Sequence, residues 1–301
     1  MAVWDVSSWE VAETEALGRE RKIWLHRPGP DRDSREAWWL FKPVVVPANG
    51  HRQGEDWAEK VAADLGHALG IDCAQVELAS RNGIEGSISR NVAPDGWNLV
   101  LGEVLLTTPE GSYVGGRSAP PGRPGHSPGA IGDALLGVEA AGTSEIGAFG
   151  MFCGYLLFDA WIANQDRHDQ NWGVLRRATP PEQRVLAPSF DHASGLGFNL
   201  TDDARVRIQR DGLPKWARRG LAHRFEHDPS APRASRPTLV DAAHAALMLA
   251  LPDARTYWLD RLAALPAREV AEAVQRTPRM SDVAATFVLE LLDTNRRRLL
   301  T

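Results

Sequence analysis

The sequence predicts an α+β protein in two unequal parts: a small, mainly β N-terminal part with one helix, and a larger α-helical C-terminal part. Three observations predict it. The first hundred residues hold short apolar and aromatic runs separated by turn residues. A single 3.6-residue period interrupts them between Gly54 and Gly70. Beyond residue 132 the apolar pattern is helical almost to the C terminus, with breaks at prolines. The expected divisions are 1–106 for the first part, 107–132 for a Gly/Pro-rich loop or linker, and 133–301 for the second.

Taken in order, Lys22–His26 and Ala37–Lys42 are strand-like runs, and Arg27-Pro-Gly-Pro-Asp-Arg-Asp between them is turn chemistry. Ala58, Val61, Ala62, Leu65 and Leu69 then share one helical face, and Gly70 ends that helix. Strand-like runs return at Gln75–Leu78, Gly86–Arg90 and Trp97–Leu101, and all are expected to join one sheet under the helix. Pro109–Gly132 is crowded with Gly, Pro and Ser, so it reads as a loose connector. The sharper alternative is a substrate-facing or phosphorylatable flap, since Arg117, Arg123, His126, Ser118 and Ser127 lie in it. Ile146–Ala163 is an almost uninterrupted apolar helix. Further helices are expected over Asp241–Leu251, Ala254–Leu265, Pro266–Arg276 and Ser281–Leu300. Arg205–Arg224 reads as a basic stretch with Trp216 inside it, a solvated face being the commoner explanation and a surface for an acidic acceptor the sharper one.

Composition narrows the function classes. Hydrophobic and charged fractions of 43% and 24% are those of an ordinary globular protein, and a formal charge of -5 argues against a protein that coats nucleic acid. Cys73 and Cys153 are the only cysteines and stand far apart, so neither a disulfide framework nor a zinc site is expected. The N-terminal residues Met1-Ala-Val-Trp-Asp-Val lack an export pattern, and no apolar run reaches membrane-span length. A cytoplasmic location is the expectation.

The chemistry concentrates in Asn164-Gln-Asp166-Arg-His168-Asp-Gln-Asn171-Trp-Gly and, twenty residues on, Ser189-Phe-Asp191-His. A lone Asp after a buried helix would merely cap the next turn. Here Asn171 follows at a fixed offset and Asp191 after a strand-like run, which is the order a phosphoryl-transfer site needs. Asp166 is expected to orient or deprotonate an acceptor hydroxyl. Asn171 and Asp191 supply hard oxygen ligands for Mg²⁺ against the phosphates of ATP. His168 is expected to pack and hydrogen-bond within this loop and to keep Asp166 in place. Asp169 reads as solvent-facing, with assistance to the metal as the alternative, and His192 as a satisfied structural histidine. Lys42 closes an aromatic strand, where its ammonium could reach the α- and β-phosphates; a helix carboxylate would hold it. Periodicity slightly prefers Glu55 over Glu59 for that partner.

These residues resemble the HipA-like serine/threonine kinases, whose atypical kinase fold is shared with phosphatidylinositol 3/4-kinases. The first motif is similar to that family's N-x-D-x-H-x-x-N, and Leu186-Ala-Pro-Ser-Phe-Asp191 to its L-x-P-x-Y-D segment, with Phe190 in place of the tyrosine. Trp39-Leu-Phe-Lys42 looks like the strand with the ATP lysine. Glu59 through Leu69-Gly-Ile71 looks like the family's E-x(9)-L-G-[IL] helix, which favours Glu59 over Glu55. Gly86-Ser-Ile-Ser-Arg-Asn91 stands where the family's strand enters the adenine hinge, which assigns Ser89 and Arg90 to the nucleotide. The resemblance implies a two-lobed atypical kinase-like fold that transfers phosphate from ATP, with Mg²⁺, to Ser/Thr of a protein. Two departures matter. No N-terminal domain fits before Lys42, so pairing with an antitoxin is not expected, and Arg27-Pro-Gly-Pro-Asp stands in place of a Gly-rich phosphate loop. A small-molecule or lipid kinase uses the same catalytic set, and a catalytically dead binding module would keep the fold alone.

Overall fold

Trp39, Phe41 and Ile88 build a small apolar core on one face of a six-stranded sheet, while Lys42 points to the other face. The sheet comes from a computed structural model that describes residues 2–15, 22–107, 113–140, 145–177, 179 and 181–301. Its strands are β1 (Trp4–Asp5), β2 (Glu10–Glu15), β3 (Lys22–His26), β4 (Trp38–Pro43), β5 (Val76–Arg81) and β6 (Ile84–Arg90). They are ordered β1-β5-β6-β4-β3-β2, and only β1 and β5 run parallel. Strands alternate faces residue by residue, so register fixes the sides. Val6, Trp9, Leu25, Trp39, Phe41, Ala79 and Ile88 form the outer core. Lys42 pairs with Ser87, which pairs with Leu78, and Leu40 pairs with Ser89, which pairs with Val76. These residues occupy the inner face.

Helix α1 (Glu55–Leu69) lies against β5 and β6 and buries Val61, Ala62, Leu65 and Leu69 in the large core shared with the C-terminal helices. Two arginines fasten the parts together. Arg279 donates to the Asp56 carboxylate and to the Ala79 and Gly86 carbonyls at 3.0, 3.0 and 3.1 Å, and Arg261 donates to the Leu69 carbonyl at 2.7 Å.

The run expected over Trp97–Leu101 leaves this sheet. As β7 (Asn98–Leu101) it pairs with β8 (Gly173–Arg177), which pairs with β9 (Gln183–Leu186), in a separate three-stranded sheet beside the catalytic loop. Local periodicity identifies a strand but not its partner, and that partner lies seventy-odd residues downstream. The turn Arg27–Asp31 is also displaced from its expected role. Register His26 to Trp38 puts it at the end of the β3–β4 hairpin away from Lys42, where no phosphate could be covered. The segment joining β2 to β3, residues 16–21, lies outside the described residues.

The Gly/Pro-rich segment is not a loose connector where it is described. A short helix α2 (Gly102–Leu105) precedes it; residues 108–112 lie outside the described residues; and from Tyr113 the chain is bonded to the catalytic loop. Ser127 then caps α3 (Pro128–Ala134) by accepting from the Ala130 N–H. The long apolar helix is α4 (Gly147–Ile162), buried on every side between α6 (Leu239–Leu249), α7 (Pro252–Ala264) and α9 (Asp282–Leu299). Helix α8 (Ala267–Gln275) packs on α1. The basic stretch holds a helix, α5 (Asp202–Ala217), that the sequence hides. Gly212, at φ 111°, and Pro214 break its period. Among the described residues no helix is long and apolar enough to cross a membrane.

Candidate active site

Helix α4 delivers the loop of residues 164–171 from the middle of the core. It ends at Ala163 in a left-handed conformation, φ 57°. Asn164 folds back, its amide donating to the Asp159 carboxylate at 2.8 Å, and its carbonyl oxygen accepts from the Asp166 N–H at 3.1 Å. Arg167 is buried and donates twice to Asp159, at 2.7 and 2.9 Å. The same guanidinium donates to the Asn171 carbonyl at 2.8 Å and to the Ser189 hydroxyl at 3.0 Å. One side chain therefore sets the helix end, the catalytic loop and the segment before Asp191 in fixed relation. His192 is buried beside them, with Nε2 at 2.8 Å from the Ser189 hydroxyl.

Asp166 stands at the open side of this frame. The amide of Asn171 donates to the Asp166 carbonyl at 2.9 Å, which leaves the side-chain oxygen of this buried residue free to accept. His168 reaches Asp166 only through its backbone N–H, at 2.7 Å; its ring accepts from the Gln170 N–H at 3.1 Å. Burial holds that imidazole below its usual value, so it is a neutral member of the loop. Asp166 Oδ1 accepts a hydrogen bond from Arg224 Nε at 2.8 Å and lies 2.6 Å from its terminal nitrogen in an ion pair. Oδ2 has no protein partner among the described residues.

Across the cleft, the Lys42 ammonium lies 3.1 Å from both Glu59 oxygens and 2.8 Å from Asp191 Oδ1. The carboxylate touching it is Glu59, not Glu55, whose position one turn earlier the local period favoured. Lys22 stands 3.7 Å from Asp191 Oδ2. Although burial alone would raise Asp191, Lys42 and Lys22 hold its carboxyl well below the usual range and so keep it ionised. Asp191 sits at φ 60°, a left-handed conformation uncommon for aspartate and typical of functional sites. The donor set fits Mg²⁺: one carboxylate and one amide oxygen, both hard, with other positions open to phosphate oxygens and water. Among the described residues no group of three or more His, Cys, Asp or Glu gathers for a metal, here or elsewhere.

Of the two residues expected at the nucleotide base, Ser89 shares the inner face with Lys42, and Arg90 does not. The Arg90 side chain lies on the outer face and donates to the Glu36 carbonyl at 2.8 Å. Its main-chain N–H is engaged as well, donating to the Gln75 carbonyl at 2.8 Å.

Five further residues build the site: Lys22 and Arg167, to which the sequence assigned no role, and Asp169, His126 and Arg224, which it placed between the motif residues, in the Gly/Pro-rich segment and in the basic stretch without giving their partners. Asp169 is buried rather than solvent-facing, and its Oδ2 accepts from the Tyr113 hydroxyl at 2.7 Å and the Gly116 N–H at 2.8 Å. A Cβ on Gly115 would collide with that oxygen, so the double glycine is what lets the segment close on the loop. His126 is buried too; Nδ1 donates to the Arg224 carbonyl at 2.7 Å, and Nε2 accepts from the Trp172 indole N–H at 3.1 Å. The contact at Nε2 requires neutral imidazole, and burial lowers its pKa to about 4. The folded protein thus binds this proton more weakly than the unfolded chain, whose His titrates near 6.5. Stability from His126 is complete above about pH 6.5 and is lost as pH falls toward 4, up to about 3 kcal/mol. Chemical denaturation of wild type and His126→Asn across that window should show the wild type losing more by that amount; parallel pH profiles would contradict it.

No protein-family model matches the chain, and no curated protein matches it in sequence. Solved structures match it in fold. The Helicobacter pylori proinflammatory kinase CtkA superposes with a TM-score of 0.70 over 99% of this chain and 96% of that one, at 16% identity. HipA of Shewanella oneidensis MR-1, solved in a toxin–antitoxin complex with HipB and operator DNA, superposes with a TM-score of 0.55. That match covers 99% of this chain and 67% of HipA at 13% identity. The chain has the α+β, two-lobed fold of HipA-like kinases. At these identities the likeness is one of fold.

Proposed function

We propose that the protein is an ATP- and Mg²⁺-dependent kinase that transfers the γ-phosphoryl group to a serine or threonine hydroxyl of a protein. The observation that carries this reading is the Lys42 ammonium between Glu59 and Asp191, facing a loop in which Arg167 fixes Asp166 and Asn171. A lysine held by a helix carboxylate and set against a metal-ligand aspartate is the arrangement phosphoryl transfer uses on the nucleotide side.

The chemistry follows from which atoms are free. The acceptor hydroxyl donates its proton toward Asp166 Oδ2, its oxygen bonds to the γ-phosphorus, and the bond from that phosphorus to the β–γ bridging oxygen breaks as ADP leaves. Asn171 Oδ1 and Asp191 would hold Mg²⁺, which when bound neutralises charge on the β- and γ-phosphates. Lys42 has an anionic partner already at phosphate distance in Asp191. Incoming phosphate oxygens compete for the same ammonium, while Glu59 keeps it in the cleft. Ser89 lines the inner face on the side where β6 leaves the sheet.

Incubation with γ-labelled ATP and Mg²⁺ tests the reading. Label is expected on the protein itself or on polypeptides of a lysate, and chelation of the metal should remove it. Label confined to small molecules would replace the protein acceptor with a metabolite or lipid. Nucleotide binding without turnover under any acceptor would overturn the reading in favour of a binding module.

A further inference from the structure

The wall that faces Asp166 from the acceptor side is made by two segments far apart in sequence, residues 113–127 and 221–227. They are laced together. The Glu226 N–H donates to the His126 carbonyl at 2.8 Å, the His227 N–H to the Gly122 carbonyl at 2.9 Å, and the Gly125 N–H to the Glu226 carboxylate at 2.9 Å. His126 lies flat on Phe225, centroids 4.7 Å apart, and holds the Arg224 main chain. Arg224 is thus a built part of the site rather than a surface arginine that happens to fall near it.

We propose that Arg224 makes the site select acceptors that carry an anionic group, a carboxylate or a phosphate, close to the reacting hydroxyl. This rests on the kinase reading of Asp166. Asp166 is the carboxylate that balances Arg224 in the free protein, through a short charge-assisted pair. A hydroxyl that passes its proton to the free Oδ2 neutralises this carboxylate and leaves the guanidinium on Oδ1 to be matched. The other nearby carboxylates bond elsewhere, and none lies within ion-pair distance of Arg224 among the described residues. Asp169 Oδ2 accepts from Tyr113 and Gly116 while its buried Oδ1 has no hydrogen-bond partner, Glu226 accepts from the Gly125 N–H, and Glu103 from the Gln170 amide at 2.6 Å. The rest of the wall adds positive charge. Arg123 donates to the Gly116 carbonyl at 2.9 Å and has no carboxylate within ion-pair distance among the described residues. His223 lies close enough to Arg224 and Arg123 that their charges, added to its burial, hold its imidazole below the usual value. An anionic acceptor gives Arg224 a new partner at the moment Asp166 is needed, whereas a neutral acceptor gives none and a basic one meets like charge.

The test uses the full chain, ATP and Mg²⁺ with matched acceptors: a serine peptide flanked by glutamates, the same peptide with glutamines, glycerol 3-phosphate and glycerol. Wild type should show a KM for the anionic member of a pair about tenfold lower than for the neutral one, the size of one charge-assisted hydrogen bond. Arg224→Gln should shrink that ratio to about threefold or less, and Arg123→Gln should lower it in part, which covers the case in which the first variant misfolds. Preference within the peptide pair alone assigns the anion to a polypeptide; preference within the glycerol pair alone assigns it to a phosphorylated small molecule. Equal KM values within both pairs in wild type, or an unchanged ratio in both variants, would overturn the inference. Wild type that releases ADP to water but labels no anionic acceptor would overturn it while leaving nucleotide chemistry standing. If no ADP forms at all, the kinase reading fails and this inference with it.

Discussion

Asp166→Ala should lower phosphoryl transfer by about 10²- to 10⁴-fold, the range for removing a positioned general base. In barrier terms that is about 3–5 kcal/mol. The substitution leaves the frame of the loop intact, because the structural bonds at this position come from the Asp166 main chain: its N–H to Asn164, its carbonyl from Asn171 and from the His168 N–H. The side chain is about one-third exposed and bonds only to Arg224. Thermal unfolding and nucleotide affinity should therefore stay near wild type while single-turnover transfer collapses. Asp166→Asn, which keeps the shape and loses the charge, should behave alike. Retention of the full rate in either variant would sink the role given to this carboxylate.

The largest loss of stability is expected from Arg167→Ala. Arg167 and Asp159 are both buried and bonded twice. Removing the guanidinium leaves a carboxylate without its counter-charge, which costs about 3–5 kcal/mol. Total stabilities run about 5–15 kcal/mol, so the variant should be partly unfolded near physiological temperature. A second variant separates charge from geometry. Arg167→Met combined with Asp159→Asn removes the stranded charge and should recover much of the denaturation midpoint. It should not recover catalysis, because the Asn171 carbonyl and the Ser189 hydroxyl still lose their common donor. Full activity in that double variant would show that Arg167 stabilises the protein without aligning its loops.

The linear motif was legible because phosphoryl transfer needs particular atoms in a short stretch. Asp166 and Asn171 fall on one turn of loop, and Asp191 follows a two-stranded excursion through β8 and β9. Helix α1 and the apolar α4 were legible for local reasons too, α1 from a 3.6-residue period and α4 from an almost unbroken apolar run within a single segment. What failed was everything that depends on a partner far along the chain. The β7 run announced a strand and could not announce β8 as its neighbour. Asp169 looked exposed because its partners, Tyr113 and Gly116, arrive from a segment whose composition suggested disorder. Glycine and proline there serve close approach to the loop rather than freedom, which composition cannot distinguish.

Charge shows the division most clearly. The sequence by itself determined which groups are acids, amides and lysines, their order along the chain, and the α+β class, because propensity and spacing are local properties. It left the lysine's partner between Glu55 and Glu59, gave Arg224 to an undifferentiated basic stretch, and took His126 for part of a connector. Tertiary structure decided those three. Ion pairs and buried hydrogen bonds depend on distances between side chains, and only packing sets such distances across 17 residues for Lys42 and Glu59, or 149 for Lys42 and Asp191.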